Sequence, residues 1–429
     1  MGAKMSERKI CYLEDVCESI YSGGTPDTRN PTFWGGGVPW LSSGETRNKF
    51  VTKTDKTITR AGVENSSTRL ANIGSTVIAS AGQGHTRGQT SYLEMDTYIN
   101  QSVVCLKPDP RKVDALWLFY NLSNRYDEMR QMSDSHSSRG SLTTALLKKM
   151  KVSLPPKQLQ ESASGALYAI DKKIELNQRM NETLEAMARA LFKGWFVDFD
   201  PVRAKAEGRK PEGMDAATSA LFPAAFNDEG LPEGWERGTF GSIAESAGTT
   251  VQPSQTSPDT PYIGLEHMPR RCIALSEWEG AGKVTSNKFA FLRGDFLFGK
   301  LRPYFHKVGI AAIDGISSTD ILIVRPKREE FYAFVLSVIS STEFVGYTDK
   351  SSQGTKMPRT NWKDMARYEL VLPDKTVALA YNNAVKPMLE KIIANVHENR
   401  TLSMLRDALL PKLISGELRI DDAKGKRGK

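Results

Sequence analysis

The chain has 429 residues, 39% of them hydrophobic and 25% charged, a composition typical of globular domains and not of disordered or fibrous proteins. Because it contains no apolar run of about 18 residues or more and its N-terminus is polar, we expect neither a membrane span nor a secretion signal. A net charge of +8 favours polyanionic partners. The four cysteines form no CxxC pair, and none lies at metal-ligand spacing from a histidine, which predicts a reduced chain without a metal site.

The first part of the chain, which we assign to a domain at residues 1–154, combines strand-like runs with a helix. Residues 76–79 and 102–106 are short β-like runs, and the second ends at Lys107-Pro108. Residues 114–129 predict a helix, and glycine clusters such as residues 35–37 indicate turns. This mixture predicts an α+β domain.

The glycine-rich loop at residues 82–88 is the main candidate for nucleic-acid contact in this domain. Its sequence, Gly-Gln-Gly-His-Thr-Arg-Gly, permits close backbone approach and offers donors that suit base edges and phosphates. The alternative is a hairpin loop with solvated side chains, and the spacing of its glycines does not match a dinucleotide-binding pattern. Residues 137–140, Arg47 and Lys49 add further candidates. The predicted contacts of the first domain are Gln83, His85, Thr86, Arg87, Ser138 and Arg139.

A long helix is predicted next, over about residues 157–196 of a segment assigned as 155–197. Pro155-Pro156 suits a helix start, and at about 1.5 Å per residue the helix would span about 60 Å. Apolar residues and two asparagines recur every three or four positions, which is the spacing of one helix face. This first seam consists of Ile170, Ile174, Asn177, Asn181, Leu184, Met187 and Leu191. Residues 198–230, rich in proline and glycine, are predicted as a linker.

The rest of the chain repeats this order. We assign a second domain to residues 231–373, a second long helix to 374–418 and a basic tail to 419–429. The second helix carries the same seam at a constant offset, because 388 − 170 = 218 and 409 − 191 = 218. The second seam consists of Met388, Ile392, Asn395, Asn399, Leu402, Leu405 and Leu409. The chain is therefore predicted to be a duplicated unit.

The loops of the second domain differ from those of the first. Residues 299–307 mix basic and aromatic side chains, which suits phosphate and groove contact, whereas the alternative is a buried aromatic hairpin with exposed charges. Residues 351–355 resemble 137–141, at an offset of 351 − 137 = 214. The predicted contacts of the second domain are Lys300, Arg302, Tyr304, His306, Lys307, Gln353, Thr355, Lys356 and Arg359.

The two seams are predicted to bury against each other. A helix of this length cannot cover its apolar stripe on a small domain alone, so matched seams favour a long intrachain coiled coil over two ordinary helices of a larger bundle. Antiparallel pairing would give a molecule with pseudo-two-fold symmetry. Asparagine in such an interface costs stability but fixes register, because misalignment leaves its amide unpaired. The expected fold is α+β, with two similar domains separated by the helix pair and related by pseudo-two-fold symmetry.

The helix sequences also carry a specific resemblance. Residues 170–177 (IDKKIELN) lead through 181–192 (NETLEAMARALF) to 195–202 (WFVDFDPV), and the second helix ends with 405–418 (LRDALLPKLISGEL). These motifs resemble the specificity subunits of type I restriction-modification systems, the HsdS family. The likeness extends over the whole repeat, although the loop-rich domains match only in outline.

The resemblance implies a function for each part. The two domains would be target recognition domains, each reading one half of a bipartite, asymmetric double-stranded DNA site. The helices would set the spacer and dock two methyltransferase subunits, with motor-nuclease subunits in the full complex. S-adenosylmethionine and ATP are then expected on partner subunits, and this cytoplasmic chain is expected to carry no cofactor, metal or catalytic residue.

Two other classes of protein are considered. A DNA-modifying enzyme would need an Asn/Asp-Pro-Pro-aromatic motif or an acid followed by Glu-x-Lys, and an ATP motor would need GxxxxGK[ST]. The sequence holds none of these except Glu7-Arg8-Lys9, which no acid precedes in a suitable position. A protein-binding scaffold without DNA contact is the second alternative, and the basic charge and the divergent loops argue against it.

Overall fold

The computed structural model of the protein describes residues 8–82, 84–135, 140–352 and 357–420. It divides into two compact units: unit 1 contains Met1–Lys172 and Ser403–Lys429, and unit 2 contains Lys173–Leu402. Each long helix contributes residues to both units. The basic tail beyond residue 420 lies outside the described residues, and the domain boundaries assigned from the sequence stay predictions.

Unit 1 is built from short strands followed by small helices. Its strands are β1 (Lys9–Tyr12), β2 (Cys17–Ser22), β3 (Trp34–Leu41), β4 (Phe50–Val51), β5 (Lys56–Ile58), β6 (Arg69–Ala71), β7 (Thr76–Ala79), β8 (Thr90–Leu93), β9 (Thr97–Ile99), β10 (Val103–Pro108) and β11 (Lys151–Leu154). Its helices are α1 (Leu13–Val16), α2 (Arg60–Glu64), α3 (Ala115–Ser123), α4 (Tyr126–Asp134), α5 (Thr144–Lys148) and the start of α6 (Lys157–Phe196). The sheets have the orders β1-β11, β2-β10-β7-β8-β4 and β5-β3-β9-β6. Helix α3 is almost wholly buried and supplies Trp117, Phe119 and Tyr120 to the core.

Unit 2 follows a similar plan. Its helices are α7 (Asp200–Ala206), α8 (Ala216–Ala220), α9 (Phe240–Ile243), α10 (Tyr332–Ile339), α11 (Thr342–Lys350), α12 (Trp362–Ala366) and most of α13 (Lys375–Ser415). Its strands are β12 (Glu236–Thr239), β13 (Ala244–Ser246), β14 (Thr249–Val251), β15 (Pro261–Ile263), β16 (Glu279–Gly280), β17 (Lys288–Phe291), β18 (Phe296–Gly299), β19 (Val308–Ile310), β20 (Gly315–Ser317), β21 (Ile321–Pro326) and β22 (Glu369–Leu372). The sheets have the orders β12-β22, β13-β21-β18-β19 and β14-β17-β20-β15-β16.

The repeat in the sequence is a repeat of topology. Strands β10 and β21 keep the offset at both ends, since 321 − 103 = 218 and 326 − 108 = 218. The same holds for the starts of β11 and β22, because 369 − 151 = 218. Strand β11 pairs antiparallel with β1, and β22 pairs antiparallel with β12. The predicted α+β fold with a duplicated unit is confirmed.

The long helices α6 and α13 run antiparallel where they pair. In unit 2, Asn177 Nδ2 donates to Asn399 Oδ1 at 2.9 Å, and Asn395 Nδ2 donates to Asn181 Oδ1 at 2.8 Å. Residue numbers that increase along α6 therefore pair with residue numbers that decrease along α13. Each asparagine pairs with the opposite member of the repeat, as antiparallel pairing of two equivalent seams requires. In unit 1, Arg406 NH1 donates to Asp171 Oδ1 at 3.0 Å.

The seam prediction is wrong at two positions. Met187 is 47% exposed and Leu405 is 46% exposed, although both repeat the predicted spacing. The helices are covered by their domains as well as by each other, so their buried faces are wider than a coiled-coil stripe and are centred elsewhere. In α6, the neighbouring Glu185 and Ala188 are buried instead.

The other seam residues are buried or half-buried. Asn177, Asn181, Ile392 and Asn395 are buried, whereas Ile170, Ile174, Leu184, Leu191, Met388, Asn399, Leu402 and Leu409 are half-buried. The sequence pattern missed a second buried face of α13, formed by Val377, Ala378, Tyr381, Val385, Leu389, Ile393 and Val396. This face packs in the core of unit 2, where the ring of Phe196 lies 5.0 Å from that of Tyr381.

The buried asparagine pairs specify an alignment at a cost in stability. Asn177 Oδ1 and Asn395 Oδ1 are buried and accept no hydrogen bond from the residues that the structure describes. A buried polar atom without a partner costs about 1–3 kcal/mol. The pairs therefore limit how the helices align more than they strengthen the interface.

We expect Asn395→Leu to destabilise the protein by about 1–3 kcal/mol, because it leaves the amide of Asn181 buried without its donor. The double change Asn181→Leu with Asn395→Leu should recover most of this loss, since it removes both polar groups. Denaturant unfolding of the singles and the double measures the coupling. Asn383→Leu, at an exposed position of α13, is the matched control. Additive effects of the two single changes would contradict the pairing.

Candidate nucleic-acid interface

The candidate loop of unit 1 connects β7 to β8 and is held against α4. Tyr126 Oη donates to His85 O at 3.0 Å, and Arg130 NH1 donates to Gly84 O at 2.8 Å. Arg87 is 6% exposed and forms an ion pair with Asp134 at the end of α4. The loop is therefore fixed to the helix through both its backbone and one buried side chain.

The predicted contacts of the first domain separate into different environments. His85 is exposed and Thr86 half-buried, whereas Arg87 is buried among protein groups. Gln83, Ser138 and Arg139 lie outside the described residues. The structure thus leaves the imidazole of His85 accessible at the loop surface, and it engages the guanidinium of Arg87 within the protein.

A basic groove lies beside this loop. Its lining includes Arg47, Lys49, His85, Tyr126 and Arg406. Arg47 is solvated, with a side chain 68% exposed and Asp55 at 4.0 Å. The groove therefore offers cationic groups from the loop before β4 and from α13, and an imidazole from the β7–β8 loop, which suits an anionic backbone.

Asp171 binds two of the cationic side chains that line this groove, Lys49 and Arg406. Its carboxylate is 5% exposed and accepts from Lys49 Nζ at 2.6 Å, Tyr120 Oη at 2.6 Å and Arg406 NH1 at 3.0 Å. Burial lowers the pKa of Lys49 and outweighs the opposing effect of Asp171. Burial also raises the pKa of the Tyr120 hydroxyl, with Asp171 adding to it. Sequence reasoning missed this cluster, because nothing in the local pattern at Asp171 indicates which distant side chains will neutralise it.

The candidate loop of unit 2 connects β18 to β19 and is paired with a second segment. Arg302 N donates to Pro358 O at 2.8 Å, and Thr360 N donates to Lys300 O at 3.0 Å. Arg359 NH2 lies 3.0 Å from Asp320 Oδ1, and its side chain is 54% exposed. This pairing brings three predicted contacts together, namely Lys300, Arg302 and Arg359.

The side chains of this second loop divide in the same way as those of the first. Tyr304 is 50% exposed, whereas Lys300, Arg302 and Lys307 are half-buried. Burial lowers the pKa of Lys300 and of Lys307. Gln353, Thr355 and Lys356 lie outside the described residues. Sequence reasoning missed Arg270, whose guanidinium lies 4.0 Å from the centre of the Phe305 ring.

His306 is an internal residue of the second loop. It is 7% exposed, and its Nε2 lies 2.8 Å from Ser340 O, a carbonyl that only accepts, so Nε2 carries the proton. Its backbone has a φ of 51°, in the left-handed region that non-glycine residues rarely adopt. Burial lowers the pKa of the imidazole, and the bond to Ser340 opposes this only in part. This placement favours a role in holding the loop.

One group among the described residues has the composition of a metal site, namely Glu266, His267 and Glu279. His267 Nδ1 accepts from Gly264 N at 2.9 Å, so in the neutral ring the proton sits on Nε2. Neither ring nitrogen then offers a lone pair to a metal ion. The arrangement fits a loop-stabilising histidine better than a ligand set.

The chain is similar to known proteins. The profile of the type I restriction modification DNA specificity domain matches residues 5–186. The MjaIX specificity subunit of Methanocaldococcus jannaschii is 23% identical over 96% of this chain and 93% of its own. Over nearly its whole length, the chain therefore resembles a type I restriction enzyme specificity subunit. The profile is that of a DNA specificity domain and the relative is named as a specificity subunit, which agrees with the resemblance carried by the helix motifs.

Further relatives agree with this assignment. The HindI specificity subunit of Haemophilus influenzae is 25% identical over 77% of this chain and 84% of its own. The crystal structure of the S subunit from M. genitalium matches 96% of this chain and 97% of its own with a TM-score of 0.61 at 13% identity, which shows a shared fold. Among the residues that the structure describes, no helix is long and apolar enough to cross a bilayer.

The stability of the protein should fall in mild acid because of His306. Its folded pKa lies below the unfolded value of about 6.5, so the unfolded chain binds more protons in this range. The contribution of neutral His306 to the free energy of unfolding is complete above about pH 6.5 and is lost as the pH falls below that value. We expect His306→Gln to show a smaller loss of unfolding free energy than wild type between about pH 7 and pH 5.5. His85→Gln, at an exposed position, should behave as wild type.

Proposed function

We propose that each unit reads one half of a bipartite, asymmetric double-stranded DNA site through its β-strand-connecting loop. The observation that carries this proposal is that both units present a loop with exposed polar side chains after an equivalent strand, β7 or β18, and hold it against neighbouring elements. The side chains on the two loops differ. A common scaffold with different loops suits two half-sites of different sequence.

The exposed groups define what each unit offers to DNA. In unit 1 they are His85 and the groove residue Arg47. In unit 2 they are Tyr304 and Arg359, beside Lys300 and Arg302. Arginine fits guanine O6 and N7 in the major groove, and lysine or arginine on the rim fits phosphate. Arg359 is the strongest candidate reader, because Asp320 fixes its guanidinium while more than half of the side chain stays accessible.

The helices α6 and α13 would set the spacer between the half-sites and dock two methyltransferase subunits. The asparagine pairs support a fixed register, which a spacer of constant length requires. Motor-nuclease subunits would complete the complex. S-adenosylmethionine and ATP would bind those partners, in the cytoplasm, and this chain would hold no cofactor.

A repeated exposed face supports the docking of two equal partners. Ala186, Met187 and Ala190 are exposed on α6, and their counterparts at +218, Met404, Leu405 and Ala408, are exposed on α13. Exposed apolar groups that recur at equivalent positions suit two copies of one subunit. This also accounts for the two seam positions that are not buried.

Arg359→Ala should relax one position in the half-site read by unit 2 and leave the other half and the spacer unchanged. Loss of a bidentate arginine contact costs about 1–3 kcal/mol of discrimination at that base pair. The measurement is the methylation motif in a host that carries this variant with its partner subunits. Arg237→Ala is the matched control, because Arg237 is similarly exposed and pairs with Glu229. An unchanged motif, or relaxation in both halves, would contradict the assignment.

Met187→Glu and Leu405→Glu should each remove one methyltransferase subunit from the complex, and the double variant should remove both. A buried unpaired carboxylate is unfavourable at an apolar interface. Native mass spectrometry of the reconstituted complex counts the subunits. Leu379→Glu is the control, since Leu379 is 47% exposed on α13 but its counterpart at −218 is Glu161. Full occupancy in the double variant would exclude this face.

A further inference from the structure

We infer that Arg87 is a positioning residue, which fixes the β7–β8 loop so that His85 faces the DNA, and does not itself contact a base or phosphate. The inference rests on the proposed reading of DNA by unit 1. From sequence alone, Arg87 had the chemistry of a direct reader. Its surroundings in the structure assign it a different role.

The guanidinium of Arg87 is enclosed by protein. Its side chain is 8% exposed and paired with Asp134, the last residue of α4. On another side lies Gly140, where an added Cβ would fall 1.8 Å from Arg87 NH1. Gly140 has a φ of 55°, so both space and backbone favour glycine there. A guanidinium in this position has no free edge of the kind that bidentate base recognition needs.

The loop depends on such fixation because of its composition. Gly82, Gly84 and Gly88 have φ values of 126°, 70° and 91°, and glycine gives a loop many alternative conformations. Three contacts with α4 restrict them. Tyr126 binds the carbonyl of His85, Arg130 binds the carbonyl of Gly84, and Asp134 binds Arg87.

Different contacts hold different parts of the loop. Two of them hold backbone carbonyls on the N-terminal side of Thr86, and the ion pair holds the C-terminal side. His85 is itself held through its carbonyl, its side chain is exposed, and the ion pair lies two residues further along the loop. Removing the ion pair should therefore free the backbone on the C-terminal side of His85 and shift its imidazole, without removing any group that touches DNA.

The decisive variants are Arg87→Gln and Asp134→Asn in the full chain with its partner subunits. Both break the same ion pair but change the charge in opposite directions. A positioning role predicts that both weaken binding to the cognate duplex, by about tenfold, and leave binding to a scrambled duplex unchanged. It also predicts an unchanged slope of log affinity against log salt for both, because no phosphate contact is lost. Asp127→Asn removes the same charge from the first turn of α4 and is the matched control.

Direct contact by Arg87 predicts a different pattern. Arg87→Gln would then reduce the salt slope by about one, and Asp134→Asn would keep or raise the affinity by freeing the guanidinium. Either result overturns the inference. Thermal unfolding of both variants checks folding, and if Arg87→Gln does not fold, the direction of change in Asp134→Asn alone decides. If wild type does not prefer a cognate first half-site over a scrambled one, the proposed function fails instead.

Discussion

The asparagine pairs between α6 and α13 are the constraint on which the rest of the structure depends. Asn177 faces Asn399, and Asn181 faces Asn395. A slip that brought Asn177 opposite Asn395 would separate the other two amides from each other. The buried amide of Asn181 would then lack its partner, at a cost of about 1–3 kcal/mol. Because the same helices supply Leu167 and Leu413 to the core of unit 1 and Tyr381 to that of unit 2, helix register also affects core packing.

The two units have the same topology but different buried side chains. In unit 1, Asp171 and Arg406 form a buried ion pair. Their counterparts in unit 2 are Leu389, since 171 + 218 = 389, and Ala188, since 406 − 218 = 188, and both are buried. A buried charge needs full compensation, so unit 1 also recruits Lys49 and Tyr120, whereas the apolar pair of unit 2 needs no such partners. The two units thus share a topology but differ at equivalent buried positions, which are charged in unit 1 and apolar in unit 2.

In each loop, one residue holds the loop in place and another is accessible for contact with DNA. In both units a residue with the chemistry of a DNA contact, Arg87 or His306, is buried and bound to protein atoms. Beside each of them an exposed residue, His85 or Tyr304, remains accessible. A flexible loop recognises DNA poorly unless its conformation is fixed in advance, because ordering on binding costs entropy. Residues that fix the loop therefore contribute to recognition indirectly.

The sequence by itself determined the duplicated α+β plan, the 157–196 span of α6 and the matched asparagine positions of the two long helices, because these follow from periodicity and from a constant offset of 218. Only the tertiary structure decided which candidate side chains are exposed. Spacing along a helix could not show that Met187 and Leu405 face solvent, since that depends on the domains that cover the helices. Residue type could not separate Arg87 from Arg359, because each guanidinium is placed by an acid distant in sequence, Asp134 or Asp320. The burial and the pairing of a side chain depend on contacts between segments that are distant in sequence. They therefore cannot be predicted from the local sequence alone.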